Sequence, residues 1–137
     1  MTATLLLLTI LLPVLGALLV WLVRDKRPFL QHTLAVAFSA AAALCALALI
    51  PGATAAPVVS FSAGPAYGDI TFVPDGLGVF LAVVATLIGC LAVLFSTAYM
   101  RGVPQLGRYY FLVLLFISAM SGLVLTGSLF AMFLFWE

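Results

Sequence analysis

The sequence predicts an all-α integral membrane protein with four transmembrane helices and the start of a fifth, its amino terminus extracytoplasmic. Three observations carry that prediction. Of 137 residues, 66% are hydrophobic and 7% charged, with a mean hydropathy of +1.37, whereas a soluble domain carries about 25% charged residues. The apolar residues fall in runs about as long as a hydrocarbon layer of roughly 30 Å requires at 1.5 Å per residue. All five Lys and Arg residues lie in two turns two crossings apart, hence on one side of the layer. A greasy soluble helical domain would still need a polar coat, and long stretches here hold no charge at all.

The first run, residues 3–23, is a retained helix rather than a signal peptide. Its leading residues carry no Lys or Arg, while Arg24, Lys26 and Arg27 follow it, the reverse of a secretory leader. Pro13 and Gly16 inside it are tolerated in a membrane helix when neighbours satisfy the carbonyl that Pro13 frees. The basic turn ending in Pro28 leads into a second helix over about 29–50, making residues 1–50 a transmembrane hairpin that stops at Pro51-Gly52. Residues 51–75 form an extracytoplasmic loop rich in Gly, Pro, Ser and Thr. Short stretches at 58–61 and 70–73 flank Gly64-Pro65 and Gly68, which suits either a small hairpin over the helix ends or an ordered coil.

Pro74-Asp75-Gly76 reads as a helix start, with a carboxylate at the positive end of the dipole. The third helix covers about 77–98 and ends at Tyr99-Met100-Arg101-Gly102, with Tyr99 as an interfacial aromatic. The uncharged stretch 109–136 is too long for one ordinary crossing and too short for two, and Thr126-Gly127-Ser128 is its only turn-like place. It therefore splits into a fourth helix, about 109–125, and the start of a fifth, 128–137. One long tilted helix is the alternative.

Cations accumulate on cytoplasmic loops. Arg24, Lys26 and Arg27 in the first turn and Arg101 and Arg108 in the third thus define the cytoplasmic side, and the turns opposite hold no Lys or Arg. The chain is expected in the cell membrane as a multi-pass protein. Its cations form no patch with interleaved aromatics, so nucleic acid is not a predicted partner. Cys45 and Cys90 sit roughly 7 Å and roughly 20 Å from the outer ends of their helices, which places a disulfide out of reach. Both read as packing residues.

The residue that can carry chemistry is Glu137. Nine residues of rise from Ser128 bring it about 13 Å into the layer, near the midplane. A carboxylate there costs roughly 2.5 to 3.5 kcal/mol on insertion scales, so it faces other helices or finds a cation, and proton paths use such groups. The bland alternative is a solvated residue on a segment that never inserts. Ending the chain there would leave unpaired helix carbonyls in the membrane. A longer reading frame, or a separate chain supplying further helices, is therefore expected. His32, just inside the cytoplasmic end of the second helix, is a candidate minor relay, although an interfacial imidazole explains it as well. Ser39, Thr86, Ser96, Thr97, Ser118 and Ser121 read as hydroxyls bonding back to their own helix or across to a neighbour. No phosphate-cradling Gly motif, nucleophile with a base, or cluster of metal ligands is found, so no catalytic, cofactor or metal residue is predicted.

From Pro74 onward the chain resembles the amino-terminal part of the antiporter-like subunits of respiratory complex I, membrane-bound hydrogenases and Mrp-type sodium/proton antiporters. The resemblance rests on Asp75-Gly76-Leu77, Tyr99-Met100-Arg101-Gly102, Arg108-Tyr109-Tyr110-Phe111, Leu114-Leu115-Phe116, Met120-Ser121-Gly122 and Leu129-Phe130. Its most specific part is Phe133-Leu134-Phe135-Trp136-Glu137. It implies that Glu137 pairs with a lysine of a later helix in a proton channel, and that the partners are other membrane subunits of a hetero-oligomeric assembly. Where the family often has an acidic residue or Asn before the fifth helix, this chain has Thr126-Gly127-Ser128, which leans toward the Mrp-like or hydrogenase-like branch. Enzyme chemistry would enter only through other subunits of such an assembly. The competing reading is a small structural or assembly membrane protein without an ion pathway of its own.

Overall fold

A segment crossing hydrocarbon must satisfy its backbone polar groups internally, which favours long unbroken helices. In a computed structural model that describes residues 1–23, 27–62, 64, 68–100 and 102–137, four helices are long and apolar enough to cross a membrane. They are α1 (Thr2–Leu22), α2 (Pro28–Leu49), α3 (Gly76–Tyr99) and α4 (Leu106–Leu125), and a short α5 (Leu129–Trp136) follows. A single 3₁₀ turn, Ile50–Gly52, closes α2, and strands β1 (Val59–Ser62) and β2 (Asp69–Phe72) lie between α2 and α3. Arg24, Asp25 and Lys26 of the first basic turn, Pro65 of the predicted Gly64-Pro65 turn, and Arg101 lie outside the described residues.

The helix ends follow from local chemistry. Pro28 is the first residue of α2, where its missing N–H is no loss. Asp75 caps α3, its carboxylate accepting from the Gly78 N–H at 2.8 Å. Gln105 takes a left-handed conformation (φ 63°), and α4 begins directly after it at Leu106, three residues before the expected Tyr109. Leu106 and Gly107 are buried there, so packing extends the helix beyond its apolar run.

Helices α1 to α4 form a ring in which α1 touches α2 and α4, and α3 touches α2 and α4, with α2 also reaching α4 across the diagonal. Large side chains such as Leu15, Phe80, Phe95 and Phe116 point outward, while Ala35, Ser39, Ala42, Ala46, Thr86 and Ser121 share the interior with Leu6, Leu49, Tyr110, Leu114 and Ile117. Hydrocarbon outside the bundle is as good a solvent for Leu as the inside, so large apolar side chains are free to face either way, and close helix approach selects small and hydrogen-bonding residues. Gly16 shows the principle, because Phe38 of α2 occupies the space a side chain there would need. The hydroxyls behave as expected. Ser39, Thr86, Thr97 and Ser121 donate to carbonyls of their own helices, whereas Ser118 reaches across to the Ile10 carbonyl of α1 at 2.7 Å. Cys45 and Cys90 are free thiols, each half-buried.

Buried Gln31 closes the α1–α2 hairpin. Its Nε2 donates at 2.8 Å to the carbonyl of Val23, the residue that caps the carboxy end of α1, and so satisfies one of that helix's last carbonyls. Gln31→Leu is expected to cost about 1 to 3 kcal/mol, read as a lower thermal midpoint in detergent micelles. An unchanged midpoint would mean that water replaces the amide.

Of the two forms open to the 51–75 segment, the hairpin is the one found. β1 and β2 pair antiparallel, Val59 opposite Phe72 and Ser62 opposite Asp69. The free edge of β2 binds the turn between α4 and α5: Val73 N–H donates to Leu125 O and Gly127 N–H to Thr71 O, each at 2.8 Å, with Phe72 bridged to Thr126. The carboxy ends of α2 and α4 and the amino end of α3 thus meet beneath the hairpin, and Thr54 N–H donating to Pro74 O ties the loop closed. Arg27 and Arg108 sit at the opposite end of the bundle, before α2 and in the first turn of α4.

Candidate functional site

The predicted break at Thr126-Gly127-Ser128 is real in the backbone: Thr126 and Ser128 are both extended, and Ser128 precedes the first turn of α5. Thr126 Oγ1 adds a bond to Thr71 O at 3.1 Å, so the turn is held by β2 and not by lipid. From there α5 runs eight residues, about 12 Å. Ala131 and Phe135, one turn apart and so on one face, turn toward α4, with Ala131 buried. The ring of Phe135 lies over Gly122 of α4, where any β-carbon would overlap it. Leu129, Met132, Phe133, Leu134 and Trp136 are exposed, as a lipid-facing surface would be.

Glu137 follows α5 directly, its N–H still donating to Phe133 O at 3.1 Å. It lines a groove of about 560 Å³ together with Val14 of α1 and Leu112, Leu115 and Ser118 of α4. Val14 and Ser118 belong to the middle of their helices; Ser118 is about 10 Å along α4 from Leu125. The groove is therefore an open one at mid-length of α1 and α4, apolar apart from Ser118 and the carboxylate, and Glu137 is exposed in it. The Ser118 hydroxyl donates to Ile10 O, so its one proton is already committed to α1.

His32 stands elsewhere. In the second turn of α2, its Nδ1 lies 2.6 Å from the hydroxyl of Tyr110, whose ring meets the imidazole edge-on at 5.4 Å. With the imidazole proton on Nε2, the Tyr110 hydroxyl donates to Nδ1. Tyr110 is fully buried and packs edge-on against Tyr109. The Tyr109 hydroxyl is 2.7 Å from Ser96 Oγ, and since Ser96 donates its one proton to Ala92 O, Tyr109 donates to Ser96. His32 also lines a separate groove between α2 and α3, with Phe29, Thr33, Thr97 and Gly102. The two predicted residues are thus not brought together: His32 belongs to the end that carries Arg27 and Arg108, Glu137 to an open groove at mid-length of α1 and α4. Tyr110, absent from the sequence prediction, had one signal in the chain: a phenol facing a helical bundle has to find a partner.

Four apolar helices around small and hydroxyl-bearing residues, with a lipid-facing exterior, make this a multi-pass protein of the cell membrane. Residues 61–110 match the family described as NADH-Ubiquinone oxidoreductase (complex I), chain 5 N-terminus. A Na(+)/H(+) antiporter subunit A1 of Staphylococcus haemolyticus is 44% identical over 63 residues, 46% of this chain and 8% of that protein. The subunit A1 of Staphylococcus aureus is 43% identical over 63 residues, with the same shares of each chain. The matching segment thus spans under a tenth of the length of these relatives. The family match begins at Phe61, earlier than the resemblance seen from Pro74 onward, so it takes in the second half of β1, β2, α3 and the first turn of α4. Glu137 lies beyond it.

Proposed function

We propose that this chain serves in a proton- or cation-translocating antiporter-like subunit of a complex I-related or Mrp-type membrane assembly. Its helices act as scaffold, Glu137 is the protonatable group of the ion path, and His32 with Tyr110 is a minor relay at the basic end. The end carrying Arg27 and Arg108 faces the cytoplasm, where positive loops are retained, and the hairpin faces outward. A lysine of a later helix, from a continuation of this chain or from a separate one, supplies the cation that balances Glu137.

The observation that carries this reading is the groove: a lone carboxylate among Val14, Leu112, Leu115 and Ser118 at the middle of two spanning helices. An ionisable group in such surroundings is costly unless it takes up a proton or meets a partner, and those two options are what a proton path alternates between. The antiporter names of the relatives point the same way.

Carbodiimides test it, since they modify protonated carboxyls and come in lipid-soluble and water-soluble forms. In the assembled complex, mass spectrometry is expected to find Glu137 modified by a lipid-soluble reagent and spared by a water-soluble, impermeant one. Rapid modification by the water-soluble reagent from the outer face would overturn the reading.

A further inference from the structure

A short helix that is apolar all round slides along acyl chains at little cost, so the lipid-facing surface of α5 fixes neither its depth nor its rotation. Something else must set both. Three contacts converge on α5 from the loop end. The backbone at 125–127 is laddered to the free edge of β2 through Val73 N–H to Leu125 O and Gly127 N–H to Thr71 O. Phe72, 7% exposed, meets Phe135 edge-on with ring centres 6.3 Å apart. Phe135 in turn rests over Gly122, which has no side chain to displace it. Helical side chains lean toward the amino end of their helix, which carries the Phe135 ring back up toward Phe72 although its Cα lies nearly two turns below Ser128. One aromatic pair thus links the extramembrane hairpin to the residue two before Glu137.

We propose that Phe72 is a positioning residue: together with the β2 ladder it acts as a stop that fixes the depth and rotation of α5, and so the level at which Glu137 enters the groove. The positional claim stands on the contacts alone, whereas its consequence for transport rests on the role proposed above for Glu137. Phe61 provides the contrast, since it belongs to the same hairpin but is exposed on β1, opposite Ile70.

The test is the immersion depth of a nitroxide at position 133, introduced as Phe133→Cys with Cys45→Ala and Cys90→Ala. The chain is reconstituted in vesicles, and depth is read from the relative accessibility to oxygen and to a water-soluble nickel complex. Phe72→Ala is expected to move the label by about 3 Å, roughly half a helical pitch. Phe72→Leu should restore most of the depth, and Phe61→Ala should leave it unchanged. Should Phe72→Ala fail to fold by circular dichroism, Thr126→Val decides, because it keeps the packing and loses the two Oγ1 bonds that hold the turn, donated to Thr71 O and accepted from Ser128 N–H; a smaller shift in the same direction is expected. Unchanged depth in folded Phe72→Ala, or in Thr126→Val where that variant decides, overturns the proposal, as does an equal shift in Phe61→Ala. A clear shift in depth with transport by the assembled complex unaltered would uphold the positional claim and remove the role given to Glu137.

Discussion

Glu137→Gln is expected to reduce ion transport by the assembled complex roughly tenfold or more while leaving the amount of assembled protein unchanged. Gln keeps the shape of the side chain and its hydrogen-bonding capacity but can neither release nor take up a proton. Glu137 is exposed where it lines the groove with Val14, Leu112, Leu115 and Ser118, so the isosteric change disturbs no packing. Assembly and thermal midpoint should therefore hold as transport falls. Lost activity at constant stability is the signature of a group kept for function. Glu137→Asp retains the proton but withdraws the carboxylate by one methylene, and intermediate transport is expected. Full transport in Glu137→Gln would assign the chain to the competing class, a helical subunit that packs against larger partners and has no ion path of its own.

The largest loss of stability is expected from Gly78→Val. A β-carbon at position 78 would stand 2.5 Å from the backbone carbonyl oxygen of Val124 and 2.6 Å from the Asp75 carboxylate that caps α3. Neither neighbour can yield easily. The Val124 carbonyl belongs to the last turn of α4, whose next residue is bonded to β2 through Val73, and the carboxylate is held by the Gly78 N–H at 2.8 Å. Overpacking against fixed backbone costs about 3 kcal/mol, and a lost cap adds about 1 kcal/mol. The loss should appear as a strongly lowered unfolding midpoint in mixed micelles. Gly76→Val is the matched control: nothing lies within 4 Å of its β-carbon position, so only helix propensity at the first turn changes. Equal midpoints for the two variants would show that α3 and α4 separate freely at this end.

Both predictions concern contacts that hydropathy does not encode. The break at Thr126-Gly127-Ser128 was legible because a membrane helix has a length limit that one uncharged stretch exceeded. The cap at Asp75 was legible because capping depends on residues adjacent in sequence. The hairpin was legible only as one of two forms, since its strands are four residues each and are held as much by the α4–α5 turn as by each other. Tyr110 was missed as the partner of His32: the two are 78 positions apart, and only the α2–α4 diagonal brings them together. Gln31 escaped notice for a related reason, as a polar residue near a helix end usually reaches water, and here it caps the helix before it.

By itself, the sequence determined that this protein lies in a membrane, how many helices cross, where each begins and ends to within a few residues, and that its cations fall in two turns. These follow from the thickness and polarity of the bilayer, which act on each segment separately. Which face of each helix turns inward was decided only by tertiary structure. Phe135 over Gly122, Phe38 against Gly16 and Phe72 beside Phe135 are examples. In water, burial would have marked those faces with apolar residues. In lipid, both faces are apolar, and the choice falls to shape and to the few hydrogen bonds that distant helices can share.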